Sequence, residues 1–346
     1  MKTDWKDFLT DAGAEYQADK LLHFGNPEQE REVALSGLVF ADLDYLGVIA
    51  VHGADAGKFL QAQLSNDIDN CGENSSQLSA YCTPKGRILG LMRIFRQGDS
   101  YYLRLPADSL EAVMQRLRMF VLRADVTLED VSDGFCCIGI SGSSAADEIR
   151  VAAGEAPLEE NQVLHTDTLS IIRVPGITPR YEIYANALEA ARDFWTSLNV
   201  HGAPVGSQAW RLLEILAGIP TIFASTSELF VPQMVNLQLV DGVSFRKGCY
   251  PGQEIVARMQ YLGTLKRRMY LGRIEQDAAL SPGDELYQAD GDEQVAGRIV
   301  DAQPHPDGGQ LALAVLQIKS AEGGDVRLGN AAGPSFIQQA LPYHFE

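Results

Sequence analysis

The sequence predicts an α+β protein in which antiparallel sheets carry helices on one face and a β-barrel occupies the C-terminal part. Three observations carry that expectation. At 346 residues the chain is long enough for two or three domains, and one uninterrupted core would be unusual. Strand formers alternate with helical spacing through residues 1–265, which read as two interleaved α+β subdomains. From about residue 266 to 346 the pattern changes to short strands split by Gly, Pro and Asp turns, as in a compact barrel.

The elements follow in chain order. A helix is expected to about His23, then a polar stretch at Gly25-Asn26-Pro27-Glu28. Val39 to Val51 is rich in strand formers; a helix with Asp55 as its cap follows, burying Phe59, Leu60 and Leu64. Strands are expected over Leu78–Cys82, Ile88–Phe95 and Tyr101–Leu105, with Thr83-Pro84-Lys85-Gly86-Arg87 as a turn. The next helix starts near Pro106 and spaces Leu110, Val113, Met114, Leu117 and Met119 along an apolar face, with the methionines as core fillers. Val126–Glu129, Phe135–Ile140, Leu169–Val174 and Tyr181–Tyr184 read as strands, and Leu188–Leu198 and Ser207–Leu216 as helices. The terminal region places strands at 269–274, 285–287, 295–300 and 311–316.

Composition narrows the function classes. No segment is long and apolar enough to span a bilayer, and Met1 to Phe8 resembles neither a signal peptide nor an arginine-rich transit sequence, so a cytoplasmic monomer is expected. Forty-six acidic against 28 basic side chains leave a formal charge of −18, which disfavours direct binding of nucleic acid. Basic groups nevertheless gather at Arg246, Lys247, Arg258, Lys266, Arg267 and Arg268, as a receiver for a small polyanion or as a rim balancing nearby acids. The five cysteines form no Cys-x-x-Cys pair and the six histidines no compact zinc spacing, so no tightly bound metal is expected.

Lys247-Gly248-Cys249-Tyr250-Pro251-Gly252-Gln253-Glu254 is the segment richest in chemistry. It sets the Cys249 thiol beside Lys247 and ahead of a helix over 253–260, where a cation and backbone donors favour a thiolate. Pro251 suits the first helical turn, and Glu254 and Arg258 can pair across one turn. No histidine completes a nucleophilic triad, so a redox, carrier or partner-facing cysteine is the simpler expectation. A second constellation joins Gln61 to Asp67 with Tyr81 to Arg87. There Asn66 and Tyr81 could orient a flat polar ligand, or Asn66 could merely cap or turn the chain.

The Lys247–Glu254 segment, continued through Val256-Ala257-Arg258, resembles the YgfZ-like group of the folate-binding, GcvT-related superfamily. Phe230 to Gln238, Phe59 to Asp67 and Tyr81 to Leu89 resemble the same group, and the likeness covers nearly all of the chain. The resemblance implies aminomethyltransferase-like sheet and helix domains that bind tetrahydrofolate or a derivative. It also implies a role in assembling or maintaining iron–sulfur enzymes that act in tRNA modification, with those enzymes and assembly proteins as partners. Lys247 and Cys249 match the group's strongest site positions, and Arg173 and Glu182 stand where related enzymes place residues near the pterin. Gly86-Arg87-Ile88-Leu89-Gly90-Leu91 lacks the paired aspartates of the aminomethyltransferases, which argues against glycine cleavage. A folate-dependent one-carbon transferase and a noncatalytic interaction adaptor are the alternatives.

Overall fold

The computed structural model describes residues 1–18, 20–289 and 294–345. The chain forms two compact units, each built from separated stretches: residues 1–57, 69–77 and 93–213 in the first, and residues 58–68, 78–92 and 214–346 in the second. Side-chain bonds show why residues 214–265 group with the terminal strands: Asn236 donates to the Met269 carbonyl and the Tyr343 hydroxyl to the Gly218 carbonyl.

The first unit rests on a six-stranded sheet ordered Val163–His165, Leu169–Val174, Arg180–Ala185, Cys136–Ser141, Val39–Asp42 and Ala203–Val205. All neighbours are antiparallel except the last pair. Strand alternation sends Tyr181, Ile183, Ile138, Ile140 and Phe40 to one face. There they meet Trp5 and Leu9, Ile149, and Phe194, Trp195 and Leu198 from helices Lys2–Asp11, Ala145–Ala153 and Leu188–Leu198. The opposite face carries Ile172, Val174 and Tyr184 against Val48, Phe95 and Phe135.

A five-stranded sheet has the order Ser76–Cys82, Ile88–Gln97, Ser100–Pro106, Leu46–His52, Thr127–Asp130. The second unit's main sheet is a curled six-stranded half-barrel, ordered Val326–Leu328, Glu285–Gln288, Val295–Pro304, Gln310–Gln317, Arg267–Ile274 and Phe336–Gln339. Every pair is antiparallel, and Leu286, Ile299, Leu316 and Phe336 fill its core.

Several expectations change in detail. The first helix stops at Asp11, because Gly13 takes φ +98°, and a hairpin of Glu15–Gln17 with Lys20–His23 follows. Val39 to Val51 is two strands around a turn at residues 43–45. Asp55 does not cap its helix by a side-chain bond; its carboxylate accepts from the Asp125 amide. Met114 is core, but Met119 lies past the end of its helix and is 61% exposed.

Gly139 is the glycine on which one close approach depends. A Cβ there would stand 2.7–2.8 Å from three atoms of the Trp210 ring, which covers that strand from helix Ser207–Leu216. Gly139→Ala should lower unfolding stability by about 1–3 kcal/mol through overpacking. Urea denaturation checks this, and Trp210→Phe in the same chain should recover part of the loss.

Candidate functional site

Lys247 is nearly buried, and its ammonium donates to three backbone carbonyls: Gln61 at 2.6 Å, Leu64 at 2.6 Å and Asn66 at 2.9 Å. These carbonyls belong to the end of helix Ala56–Gln63 and the turn after it, where helical acceptors have no partner within the helix. The negative end of the helix dipole adds to the attraction. Asn66 completes the join. Its amide nitrogen donates to the Leu78 and Asp241 carbonyls, and its side-chain oxygen accepts from the Asp67 amide. The Ser65 hydroxyl donates to the Gly242 carbonyl, while the Ser244 amide donates to the Ser65 carbonyl.

This corrects the expected juxtaposition. Adjacency in sequence suggested an ammonium supporting the thiol, but Lys247 turns inward because buried carbonyls need its donors. Asn66 acts as a turn-former, the alternative its position had left open. Tyr81 is buried and its backbone bridges Leu64.

Cys249 is exposed at the surface of the segment that Lys247 anchors. Helix Gln253–Tyr261 begins after Gly252, so Pro251 lies ahead of the helix rather than in its first turn. Gly252 takes φ +82°, and a Cβ there would meet the Thr83 carbonyl oxygen at 2.5 Å and the Gly86 nitrogen at 2.8 Å. Only glycine lets this turn approach the Thr83–Arg87 turn so closely. The Gln253 and Ile255 amides already bond to the Tyr250 and Gly252 carbonyls rather than to the sulfur. Glu254 and Arg258 pair at 3.2 Å on the exposed side of the helix.

Glu182, in the first unit, is fully buried and is held by the Arg104 guanidinium through two bonds and by the Tyr184 hydroxyl at 2.7 Å. Burial alone would raise its carboxyl, yet Arg104 and Arg93 hold it below the usual range. Arg173 does not share this environment. It stands opposite Tyr181 in the sheet register, whereas Glu182 stands opposite Ile172, so the two project from opposite faces. Arg173 instead donates to the Tyr181 hydroxyl at 3.0 Å, with its guanidinium over that ring.

Among the described residues, Arg93 Nε and the indole nitrogen of Trp210, both buried, find no hydrogen-bond acceptor. Arg180 stacks over Trp210 at 4.9 Å, and Gly139, against that indole, stands opposite Glu182 in the register. A carboxylate with unused acceptor capacity beside open donors suits a heterocycle that carries both an N–H edge and acceptor atoms. Sequence reading did not single out Arg93, Arg104 or Trp210. The available signal was a charged residue inside each of the apolar strands Ile88–Gln97 and Ser100–Pro106.

Among the described residues no group of three or more His, Cys, Asp or Glu side chains could hold a metal ion, and no helix is long and apolar enough to cross a membrane.

Residues 13–241 match the family profile described as the GCVT N-terminal domain. The chain is 31% identical over 307 residues to the tRNA-modifying protein YgfZ of Colwellia psychrerythraea, covering 87% of this chain and 92% of that protein. It is 31% identical over 333 residues to the protein of the same description from Photobacterium profundum, covering 94% and 97%. This chain belongs to the YgfZ family. Its fold is that of the glycine cleavage system aminomethyltransferase T from Bartonella henselae, with a TM-score of 0.78, 17% identity and coverage of 98% and 96% of the two chains. In this YgfZ-family chain, Arg87 and Ile88 follow the Gly86 turn. The Arg87 guanidinium donates to the Leu229 carbonyl and Ile88 is buried, so this point carries no carboxylate.

Two outcomes follow for the second unit and its thiol. Burial pushes the Cys71, Cys82 and Cys136 thiols up to about 12 and raises Cys137 as well, while Cys249 is exposed. Native protein treated with a thiol-specific disulfide reagent should release one fast equivalent, and Cys249→Ser should remove it. Lys247→Met should cost about 3 kcal/mol in urea unfolding because buried carbonyls lose a charged donor, whereas Cys249→Ser should leave stability unchanged.

Proposed function

We propose that this chain binds a reduced folate and serves the assembly or maintenance of iron–sulfur enzymes that act in tRNA modification. Cys249 is the group that meets the client protein or the cluster in transit. The observation that carries the proposal is the placement of that thiol. It is exposed on a segment whose neighbouring lysine is locked into the protein, while Cys71, Cys82 and Cys136 are buried. A fixed segment presents the sulfur at constant orientation, and exposure leaves it open to a macromolecular partner. One thiol supplies a single cluster ligand, so the remaining ligands come from the client or an assembly protein.

The folate part of the proposal rests on the Glu182 network. Glu182 would accept from the N–H edge of a pterin, and Arg93 and the Trp210 indole would donate to its acceptor atoms. A bound tetrahydrofolate supplies a carrier for a one-carbon unit. The protein's own contribution is to bury that ring, orient it and keep Glu182 ionised through Arg104 and Arg93. Glycine-cleavage chemistry is the weaker use of the scaffold, because Arg87 and Ile88 occupy the expected place of the carboxylate pair. We further propose a cytoplasmic monomer that acts through its client enzyme, since a net charge of −18 repels nucleic acid.

The test is a defined maturation assay with a purified iron–sulfur tRNA-modifying enzyme, run with and without tetrahydrofolate. Cys249→Ala should reduce client cluster content to the level without the factor while keeping folate binding and stability. Lys247→Ala should lose stability together with maturation. Equal client activity with intact protein and Cys249→Ala would remove the thiol from the mechanism. Absence of tetrahydrofolate binding by intact protein would remove the folate.

A further inference from the structure

The first unit contains a cavity of about 530 Å³ whose lining includes neither Glu182 nor Arg104, although its Val48, Phe135 and Cys137 walls back onto Tyr184. It opens between helix Lys2–Asp11, the turn after strand Val39–Asp42, and the start of strand Cys136–Ser141. Trp5, Tyr16 and Phe135 supply aromatic walls, with Leu43, Leu46 and Val48 behind them. This size and lining match a small-molecule site: mostly apolar, with a few convergent polar groups.

The polar lining includes Lys2, Lys6, Thr3 and Ser132, and two carboxylates, Asp42 and Asp44. Asp42 is only 6% exposed, and its Oδ1 accepts from the Trp5 indole nitrogen at 3.0 Å. Asp44 is partly buried and accepts from the Leu21 amide at 2.9 Å. Among the described residues neither carboxylate forms an ion pair. Of the lining lysines, Lys2 lies 3.8 Å from Asp133 and acts on both carboxylates from a distance, and the Lys6 ammonium sits 4.8 Å over the Tyr16 ring. Buried carboxylates are ordinarily matched by a cation, and among the described residues none is in ion-pair contact with either.

We propose that this cavity binds a small organic cation, an ammonium or amidinium on an apolar body, with Asp42 as its anchor and Asp44 as its second carboxylate. The charged nitrogen meets Asp42 at the base of the cavity, and the apolar body lies against the aromatic walls, where ring faces also favour a cation.

The charge state of Asp42 gives the proposal a signature. Burial, with Asp44 adding repulsion, pushes its carboxyl up to about 7; the Trp5 bond, Lys2 and the Leu43 amide oppose the shift. The other titratable or charged groups around the cavity are Tyr16, Cys136 and Cys137, all raised by burial, the lining Lys6, the Met1 amine and Arg192, which act on Cys136, and Lys20, which acts on Asp44. Because the cation needs the ionised carboxylate, its affinity grows as pH rises through that value and levels off above it.

The full chain is titrated with benzamidine and, separately, with its neutral counterpart benzamide, following the Trp5 indole N–H resonance by two-dimensional NMR. Benzamidine should shift that resonance saturably, with affinity rising about tenfold from about pH 6 to about pH 8, and benzamide should not. Asp42→Asn keeps an acceptor for Trp5 but removes the charge, so it should abolish the pH dependence and most of the affinity. Equal binding of the two probes, no binding of benzamidine, or an unaltered pH profile in Asp42→Asn would overturn the proposal. Should Asp42→Asn fail to fold, Asp44→Asn must weaken benzamidine, and undiminished binding there overturns the proposal equally.

Discussion

The second unit is organised around a lysine ammonium held by three backbone carbonyls. Lys247 reaches Gln61, Leu64 and Asn66 across more than 180 residues of sequence. Burying an ammonium costs several kcal/mol, and unmatched helical carbonyls carry a cost of their own. Each defect answers the other. Tyr250 packs its ring 5.3 Å from the same ammonium, and Gly252 brings the turn before helix Gln253–Tyr261 against the Thr83–Gly86 turn. The exposed thiol thus stands on a scaffold whose internal bonds leave its segment little freedom.

The first unit solves a related problem with arginines. Glu182 lies on the polar-bearing face of its sheet, and Arg104 neutralises it, with Arg93 close enough to reinforce its ionised form. The network joins strand Arg180–Ala185 of one sheet to strand Ser100–Pro106 of another, and desolvation offsets most of the attraction. The other face of the sheet is conventional, packed with Trp5, Phe40, Phe194 and Trp195. The Glu182 face is itself largely apolar, with Ile172, Val174 and Tyr184 packed on Val48, Phe95 and Phe135, so the charged network is embedded in a second hydrophobic layer.

Much of the architecture was legible because period and punctuation are local. Helices Leu188–Leu198 and Ser207–Leu216 have the expected bounds, and the Glu254–Arg258 pair forms as its spacing implied. The first helix was overextended because Tyr16 and Leu21 satisfy either period, and only Gly13 in its left-handed conformation ends the helix early. Short strands Val326–Leu328 and Phe336–Gln339 were not anticipated; neither buries enough apolar surface to show an alternation.

The candidate sites divide in the same way. The Lys247–Glu254 segment was recognisable from its residues, and so was Cys249 as the thiol to examine, because motif chemistry is written contiguously. Register decided that Arg173 and Glu182 face opposite ways, since the loop between their strands sets the pairing and no count along the chain reveals it. Long-range hydrogen bonding decided that Lys247 is an anchor, and packing decided that Trp210 covers Gly139 while Arg104 meets Glu182. Local propensity and motif identity are properties of neighbouring residues, so they survive in one dimension. The direction in which a side chain spends its charge depends on which distant backbone is left unsatisfied, and only the folded chain settles that.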